Sequence, residues 1–308
     1  MDWNDKELVI DCIKKSKNGY NLKYASLELR NDVEVVIAAV EEDGGALQCA
    51  DLTGILRGNR EVALAACLQD GESLEYVAFD LRGNSEIVIA AVQDNGDALR
   101  FAQDSLRSDP SVVKEAILSS PLSFEYSSVE CRESFDLAMA AVSADGLTLY
   151  FASTPLRADR DLVMAAISTN SLALGAASQS LREEIGSDRD IMLKCVENNG
   201  MSLEYSPMFQ NDREIVMLAV KQDGNSLQFA SKELRSDREV VLTACASYIG
   251  AYDYASKFLQ SDQEVILASK PTIDRYLFQA ALDREEKEKA KKNAMKKTKK
   301  GKDTSGKA

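Results

Sequence analysis

The strongest constraint in this sequence is a pattern that recurs about every 25 residues. In each copy a small polar residue is followed two positions later by an acid or serine, and then by an apolar run that ends in Ala-Val or a close substitute. Self-similarity at this period is typical of arrays whose units bury their apolar faces against their neighbours. The copies begin at Asp5, Asp32, Asn59, Asn84, Asp109, Ser134, Asp159, Asp188, Asp212, Asp237 and Asp262.

Each of these starting residues predicts the beginning of a helix. Asp, Asn and Ser side chains accept hydrogen bonds from the free N–H groups of a first helical turn. An acid two positions later, such as Glu34, is stabilised by the helix dipole. Where a serine precedes the start, as in Ser236-Asp237, the spacing also fits a capping box shifted by one residue, so the sequence leaves two registers open.

The apolar run after each start predicts a buried helix of about eight to ten residues, because its stripe is too wide to be covered on one side only. Offset seven carries a small residue such as Ala39 or Ala219, which predicts a close approach between adjacent helices. Pairs such as Asp43-Gly44 predict a left-handed turn that ends the helix.

A second, shorter helix is predicted after the turn, for example from Leu99 to Leu106. It ends in Leu-Arg, and we expect its arginines to form a ladder of surface ion pairs with the acidic starts of the following helices. These arginines are Arg82, Arg107, Arg157, Arg182 and Arg235.

Together these elements predict an all-α fold, a right-handed-type αα solenoid (superhelix) of about eleven 25-residue two-helix repeats. The solenoid is expected over residues 1–270, followed by a capping helix over 271–288 and a Lys-rich disordered tail over 289–308. Helices this short are marginal alone, so stacking between repeats must stabilise them.

The segments Asp212 to Arg235 and Asp237 to Ser256 carry the fullest copies of the motif D-R-E-V-V-x-x-A-V…D-G-x-x-L-x-F-A-S-x-x-L-R. This motif resembles the repeat family catalogued as domain of unknown function 4116, and the resemblance covers roughly residues 5 to 270. It implies short helical repeats. It implies no activity and gives no catalytic residue to transfer.

The chain has no histidine, which removes the usual general base, the Ser-His and Cys-His nucleophile pairs and most catalytic zinc sites. We therefore expect no enzyme, no cofactor and no metal. The acids near the Asp-Gly turns lack the spacing of a calcium loop, which favours helix termination. The six cysteines lie at apolar positions without a C-x-x-C pair, which predicts free buried thiols in a reducing compartment.

An aromatic residue recurs once per repeat. A row of aromatic rings could stack on nucleic-acid bases, but no basic residue interleaves with them in the repeat pattern, so the sequence favours a core position. The row consists of Tyr24, Tyr76, Phe101, Tyr126, Phe151, Tyr205, Phe229 and Tyr254.

Charge is distributed unevenly along the chain. The net charge is −13, yet the residues from Lys289 onward carry about +8, which leaves the preceding residues near −21. Since lysine and arginine supply the sequence-independent affinity for nucleic acid, only the tail could bind it. Its candidate contacts to nucleic acid or to an anionic membrane are Lys296, Lys297, Lys299 and Lys300.

These observations predict a non-enzymatic protein–protein interaction scaffold whose acidic surface binds a basic or polar protein partner. The alternative is an electrostatic tether whose Lys-rich tail binds nucleic acid or anionic membrane. A tail that only solubilises the chain, or folds back on the acidic body, is the simplest reading of the same lysines. With no signal peptide and no apolar membrane span in the pattern, we expect an intracellular, cytoplasmic monomer, which the tail could direct to the nucleus.

Overall fold

The computed structural model of the protein describes residues 2–50 and 54–270, and every regular element in those ranges is helical. The expected capping helix at 271–288 and the Lys-rich tail at 289–308, with Lys296, Lys297, Lys299 and Lys300, lie outside the described residues. No helix of the described part is both long and apolar enough to cross a membrane.

The first helix of each repeat begins directly after the predicted starting residue. Nine of these helices have ten residues, so the predicted length is confirmed. The first helices are α1 (Lys6–Ser16), α2 (Val33–Glu42), α3 (Arg60–Gln69), α4 (Ser85–Asp94), α5 (Pro110–Ser119), α6 (Phe135–Ala144), α7 (Arg160–Thr169), α8 (Arg189–Asn198), α9 (Arg213–Gln222), α10 (Arg238–Ser247) and α11 (Gln263–Ala268).

Capping chemistry sets the register of these helices. The Asp237 carboxylate, for example, accepts hydrogen bonds from the N–H groups of Glu239 and Val240 at 2.9 and 3.1 Å. The starting residue is therefore the N-cap itself, which decides between the two registers that the sequence left open. Ser134 occupies the same position without a side-chain bond to the first turn.

The predicted second helix is wrong in detail, because two shorter segments replace it. A six-residue 3-10 helix comes first. These 3-10 helices are Gly19–Tyr24, Gly44–Cys49, Gly71–Tyr76, Gly96–Phe101, Pro121–Tyr126, Gly146–Phe151, Ser171–Ala176, Gly200–Tyr205, Gly224–Phe229 and Ile249–Tyr254. A short helix, here called the third segment, follows: Leu29–Asn31, Leu56–Gly58, Phe79–Gly83, Asp104–Arg107, Val129–Arg132, Leu156–Ala158, Gln179–Gly186, Pro207–Phe209, Leu234–Ser236 and Leu259–Ser261.

A backbone bond between repeats explains this interruption. Ala102 is extended, and the next N–H group, that of Gln103, donates to the carbonyl of Arg82 in the preceding repeat at 3.0 Å. The Ser256 N–H group donates to the Arg235 carbonyl in the same way. An N–H group used between repeats is not available for a continuous helix, so each repeat has three helical segments where two were predicted.

The glycines after the first helices also differ from expectation. No glycine of an Asp-Gly or Asn-Gly pair has a positive φ, and the residue before it is extended, as at Asp70 (φ −151°). The glycine is needed for close approach: a Cβ on Gly71 would clash with the backbone carbonyl of Ala91 in the next repeat. The Gly71 N–H group donates across the same contact to Asp94 at 2.8 Å.

The described residues form two compact units, residues 1–182 and residues 183–308 with its described part ending at 270. In the first unit α1 to α7 contact one another in succession, and the 3-10 helices form a second row against them. In the second unit α8 to α11 contact in succession. The small residues at offset seven, such as Ala141 and Ala219, are fully buried as predicted.

We expect Gly71→Ala to lower the free energy of unfolding by about 1–3 kcal/mol, because the new methyl group meets backbone that cannot move aside. Gly58→Ala is the matched control, since its Cβ would meet nothing nearer than the Ala78 methyl group at 3.8 Å. Both changes reduce the entropy of the unfolded chain alike. Urea denaturation measures the difference, and equal midpoints would contradict the close-approach role of Gly71.

Candidate interaction surface

A ladder of ion pairs runs along the starts of the first helices. In the second unit, Arg213 binds Asp237 at 3.1 Å and Glu239 at 2.5 Å, so one guanidinium bridges the N-cap and the first-turn acid of the next helix. The same arrangement joins Arg238 to Asp262 and Glu264. In the first unit Lys6 bridges Asp32 and Glu34 at 2.9 and 2.8 Å, and Arg60 pairs with Glu86.

The predicted ladder therefore exists, but its cations were assigned wrongly. They lie one residue after the helix start and are not the predicted arginines of Leu-Arg. Of those, Arg82 donates to the backbone carbonyls of Val77 and Glu75, and Arg182 donates to Gly175. They cap the ends of the 3-10 helices, since those carbonyls have no partner within the helix.

The ladder is interrupted at several starts of the first unit: Val33 and Ser85 occupy the cation position at two of them, and two further starts in the middle of the unit also lack a cation. Pro110 and Phe135 occupy the cation position there, and within the described residues Asp136, Asp159 and Asp161 form no ion pair. Helices α6 and α7, whose first turns carry these acids, contact each other directly. Phe135 lies beside them with 41% of its surface exposed. We call Asp136, Asp159, Asp161 and Phe135 the open rung.

The aromatic row is not part of the core, contrary to the sequence interpretation. Its residues end the 3-10 helices; all but Tyr24 are half-buried, and Tyr24 is 55% exposed. Trp3 packs against Tyr24, with ring centroids 5.3 Å apart. Lys23 lies over the Tyr24 ring at 4.9 Å and Arg100 lies over the Phe101 ring at 4.6 Å, so basic residues do meet the row at two places.

The six cysteines, all in the described residues, form no disulfide, and four of them are buried, whereas Cys12 and Cys49 are half-buried. Burial raises the pKa of Cys67 to about 12 and that of Cys195 to about 11, which leaves both as unreactive thiols at neutral pH. The acids before the glycines, such as Asp70 and Asp145, accept hydrogen bonds from the first turn of the 3-10 helix. Over residues 2–50 and 54–270 no group of three or more acidic or cysteine side chains is arranged to hold a metal ion.

A family model matches the chain four times. It is described as domain of unknown function (DUF4116), and it covers residues 5–53, 84–132, 134–182 and 188–235, which is more than half of the sequence. Each match spans about two of the structural repeats. No curated protein and no solved structure matches the chain.

The ladder predicts a pH-dependent contribution to stability. The Arg238 hydrogen bond lowers the pKa of Asp262, so Asp262 stabilises the fold above the pKa of an unfolded aspartate, about 4, and this contribution is lost as the pH falls through the folded value. We expect Arg238→Gln to give a small decrease in thermal stability at pH 7 that disappears near pH 2, because exposed pairs contribute little.

Thermal unfolding between pH 7 and pH 2 measures this effect. Lys114→Gln removes the same charge from a lysine without an ion pair in the described residues, and serves as the control. Parallel pH profiles of the two variants would contradict the assignment of Arg238 to the ladder.

Proposed function

The chain belongs to the family described as domain of unknown function DUF4116, and from its repeats we propose that it is a non-enzymatic scaffold that binds a basic protein partner. In this proposal the repeats stack as a right-handed-type αα solenoid, and its acidic helix starts form the contact surface. The open rung carries the proposal, because a partner's cation can complete it.

The closed rungs support the choice of a basic partner. Arg213 reaches two carboxylates with one guanidinium, Asp237 through Nε and Glu239 through a terminal nitrogen. At the open rung the equivalent acids are Asp159 and Asp161, while Phe135 stands where the arginine would be. An arginine from a partner would supply the missing fork, and Phe135 would give its flat guanidinium an aromatic contact.

The neighbouring rungs favour the same partner. Asp136 is the first-turn acid of the next helix after Pro110, which occupies the cation position of its repeat. Asp136 therefore also lacks a cation from its own chain in the described residues. Two adjacent open positions on α6 and α7 fit basic side chains spaced along one peptide. The charge of about −21 on the residues before Lys289 would accelerate the approach of a basic segment.

Catalysis is not part of this proposal. The chain contains no histidine, and the thiols whose pKa values burial raises to 11 or above are poor nucleophiles at neutral pH. Free buried cysteines fit a reducing compartment, which supports an intracellular, cytoplasmic location.

The Lys-rich tail supports a second role as an electrostatic tether. Nine lysines and one acid lie between Lys289 and Ala308, a composition suited to nucleic acid or an anionic membrane. A nuclear location would follow from the same lysines. Deleting residues 289–308 separates this role from that of the open rung.

We expect a labelled peptide that alternates arginine and glycine to bind the full chain in fluorescence anisotropy, and to be released as ionic strength rises to about 0.5 M. The double variant Asp136→Asn/Asp161→Asn should weaken binding about tenfold, because it removes acids that lack an internal partner. The control Glu214→Gln/Glu239→Gln removes the same net charge from closed rungs and should change the affinity little.

Deletion of residues 289–308 should leave this binding intact or strengthen it. Equal losses in the two double variants would refute the open rung as the contact surface and leave only a general charge effect. A photo-crosslinking amino acid in place of Phe135 should capture a natural partner through a basic segment. Mass spectrometry of the crosslinked peptide would identify that segment.

A further inference from the structure

Two grooves occur at equivalent places in two repeats 128 residues apart. The Arg107 groove has a volume of about 610 Å³ and is lined by Asp104, Arg107 and Ser108 together with Glu125–Glu130 and Arg132. The Arg235 groove has a volume of about 510 Å³ and is lined by Lys232, Arg235 and Ser236 together with Asp253–Lys257. Each groove lies within one unit of the chain.

The two grooves share one backbone frame. The Ser128 N–H group donates to the Arg107 carbonyl at 2.9 Å, and the Ser256 N–H group donates to the Arg235 carbonyl at 2.9 Å. The guanidinium Nε atoms of both arginines are buried and have no hydrogen-bond partner. In the Arg235 groove the hydroxyl of Ser256 is also buried and unpartnered. The Nε atoms of Arg57 and Arg157 are buried and unpartnered as well, so this feature belongs to the repeat, and the Arg235 groove differs from its counterpart in the charges around it.

The side chains around these frames differ in charge. Asp104 binds the guanidinium of Arg107, and Glu125 and Glu130 bring a further two acids to that groove. At the position of Asp104 the second groove has Lys232, and at the position of Val129 it has Lys257. The Arg235 groove thus has three cations and one acid, Asp253, in a chain that is otherwise strongly acidic.

Arg235 also lacks the partner that its counterpart has. Within the described residues its side chain makes no hydrogen bond and no ion pair, whereas the same side chain at 107 is held by Asp104. A guanidinium that lines a groove and pairs with no carboxylate is suited to an external anion, since its planar donors match carboxylate and phosphate oxygens.

We propose that the Arg235 groove binds a phosphate group. Three cations against one acid give the groove a charge of about +2, which matches the −1.5 to −2 of a phosphomonoester at neutral pH. The guanidinium and the hydroxyl of Ser256 supply donors for its oxygens, whereas the Ser236 hydroxyl already donates to the Lys232 carbonyl at 3.0 Å. This site goes beyond the binding of a basic partner at the open rung, because it lies in the other unit and takes a ligand of opposite charge.

Isothermal titration calorimetry of the full chain tests the site with inorganic phosphate, O-phosphoserine and a phosphoserine peptide. We expect Arg235→Gln and Lys232→Asp each to weaken binding at least about tenfold. Lys232→Asp places an acid at the position that Asp104 has in the other groove. The new carboxylate should pair with Arg235 and leave the stability of the fold unchanged. The matched control Arg107→Gln should bind phosphate as the unchanged chain does.

The outcomes distinguish phosphate binding in the Arg235 groove from phosphate binding by the lysines of the tail. Wild-type affinity in Lys232→Asp, an equal loss in Arg107→Gln, or no binding to the unchanged chain would each overturn the assignment. If the peptide binds more tightly than inorganic phosphate, the ligand is a phosphorylated protein, and the reverse order identifies a small anion. Circular dichroism of each variant verifies that the fold is retained.

Discussion

The close contact between a glycine of one repeat and an alanine carbonyl of the next is the constraint on which the described structure depends. Gly71 approaches Ala91, and Gly146 approaches Ala166, so closely that neither glycine has room for a methyl group. The bond from the Gly71 N–H group to Asp94 crosses the same contact. Helices of ten residues would be marginal in isolation, and this contact joins the ends of seven of them to the next helix.

The same constraint separates positions that hold the fold from positions that are free to vary. Glycine, the alanine at offset seven and the N-cap are tied to backbone contacts, whereas the residue after the N-cap is exposed, as at Phe135 and Arg213. An exposed ion pair contributes little to stability, so a rung can lose its cation at small cost. Differences between repeats at this position are therefore free to serve binding.

The sequence predicted what depends on local chemistry and missed what depends on the offset between repeats. The helix starts were correct because capping is decided within four residues. The role of Gly71 was wrong because glycine serves both a left-handed turn and a close approach, and only the neighbouring repeat distinguishes them. The second helix was wrong because the bond from Gln103 to Arg82 competes with helix continuation, and that bond joins residues from two repeats.

The ladder shows the same limit. Two arginines in each full repeat were candidates for its cations, one in Leu-Arg and one directly after the N-cap. The sequence distance from each arginine to the next acidic start does not identify the one that forms the ion pair. The lateral stacking of the helices determines which arginine reaches that start. The recurrence of Asp-Arg-Glu is the signal that could have identified the correct arginine. It places the arginine beside the first-turn acid of its own helix, and therefore at the level of the first-turn acid of the next helix.

Two repeats of the chain share one backbone frame and differ in the charges placed around it. Arg107 and Arg235 occupy the same frame, so whatever the frame requires structurally is common to both. What differs, Asp104 against Lys232 and Val129 against Lys257, is not explained by packing, because these side chains line open grooves. An acidic chain that places three cations around one groove and leaves its arginine without a carboxylate retains an electrostatic cost that a bound anion would remove.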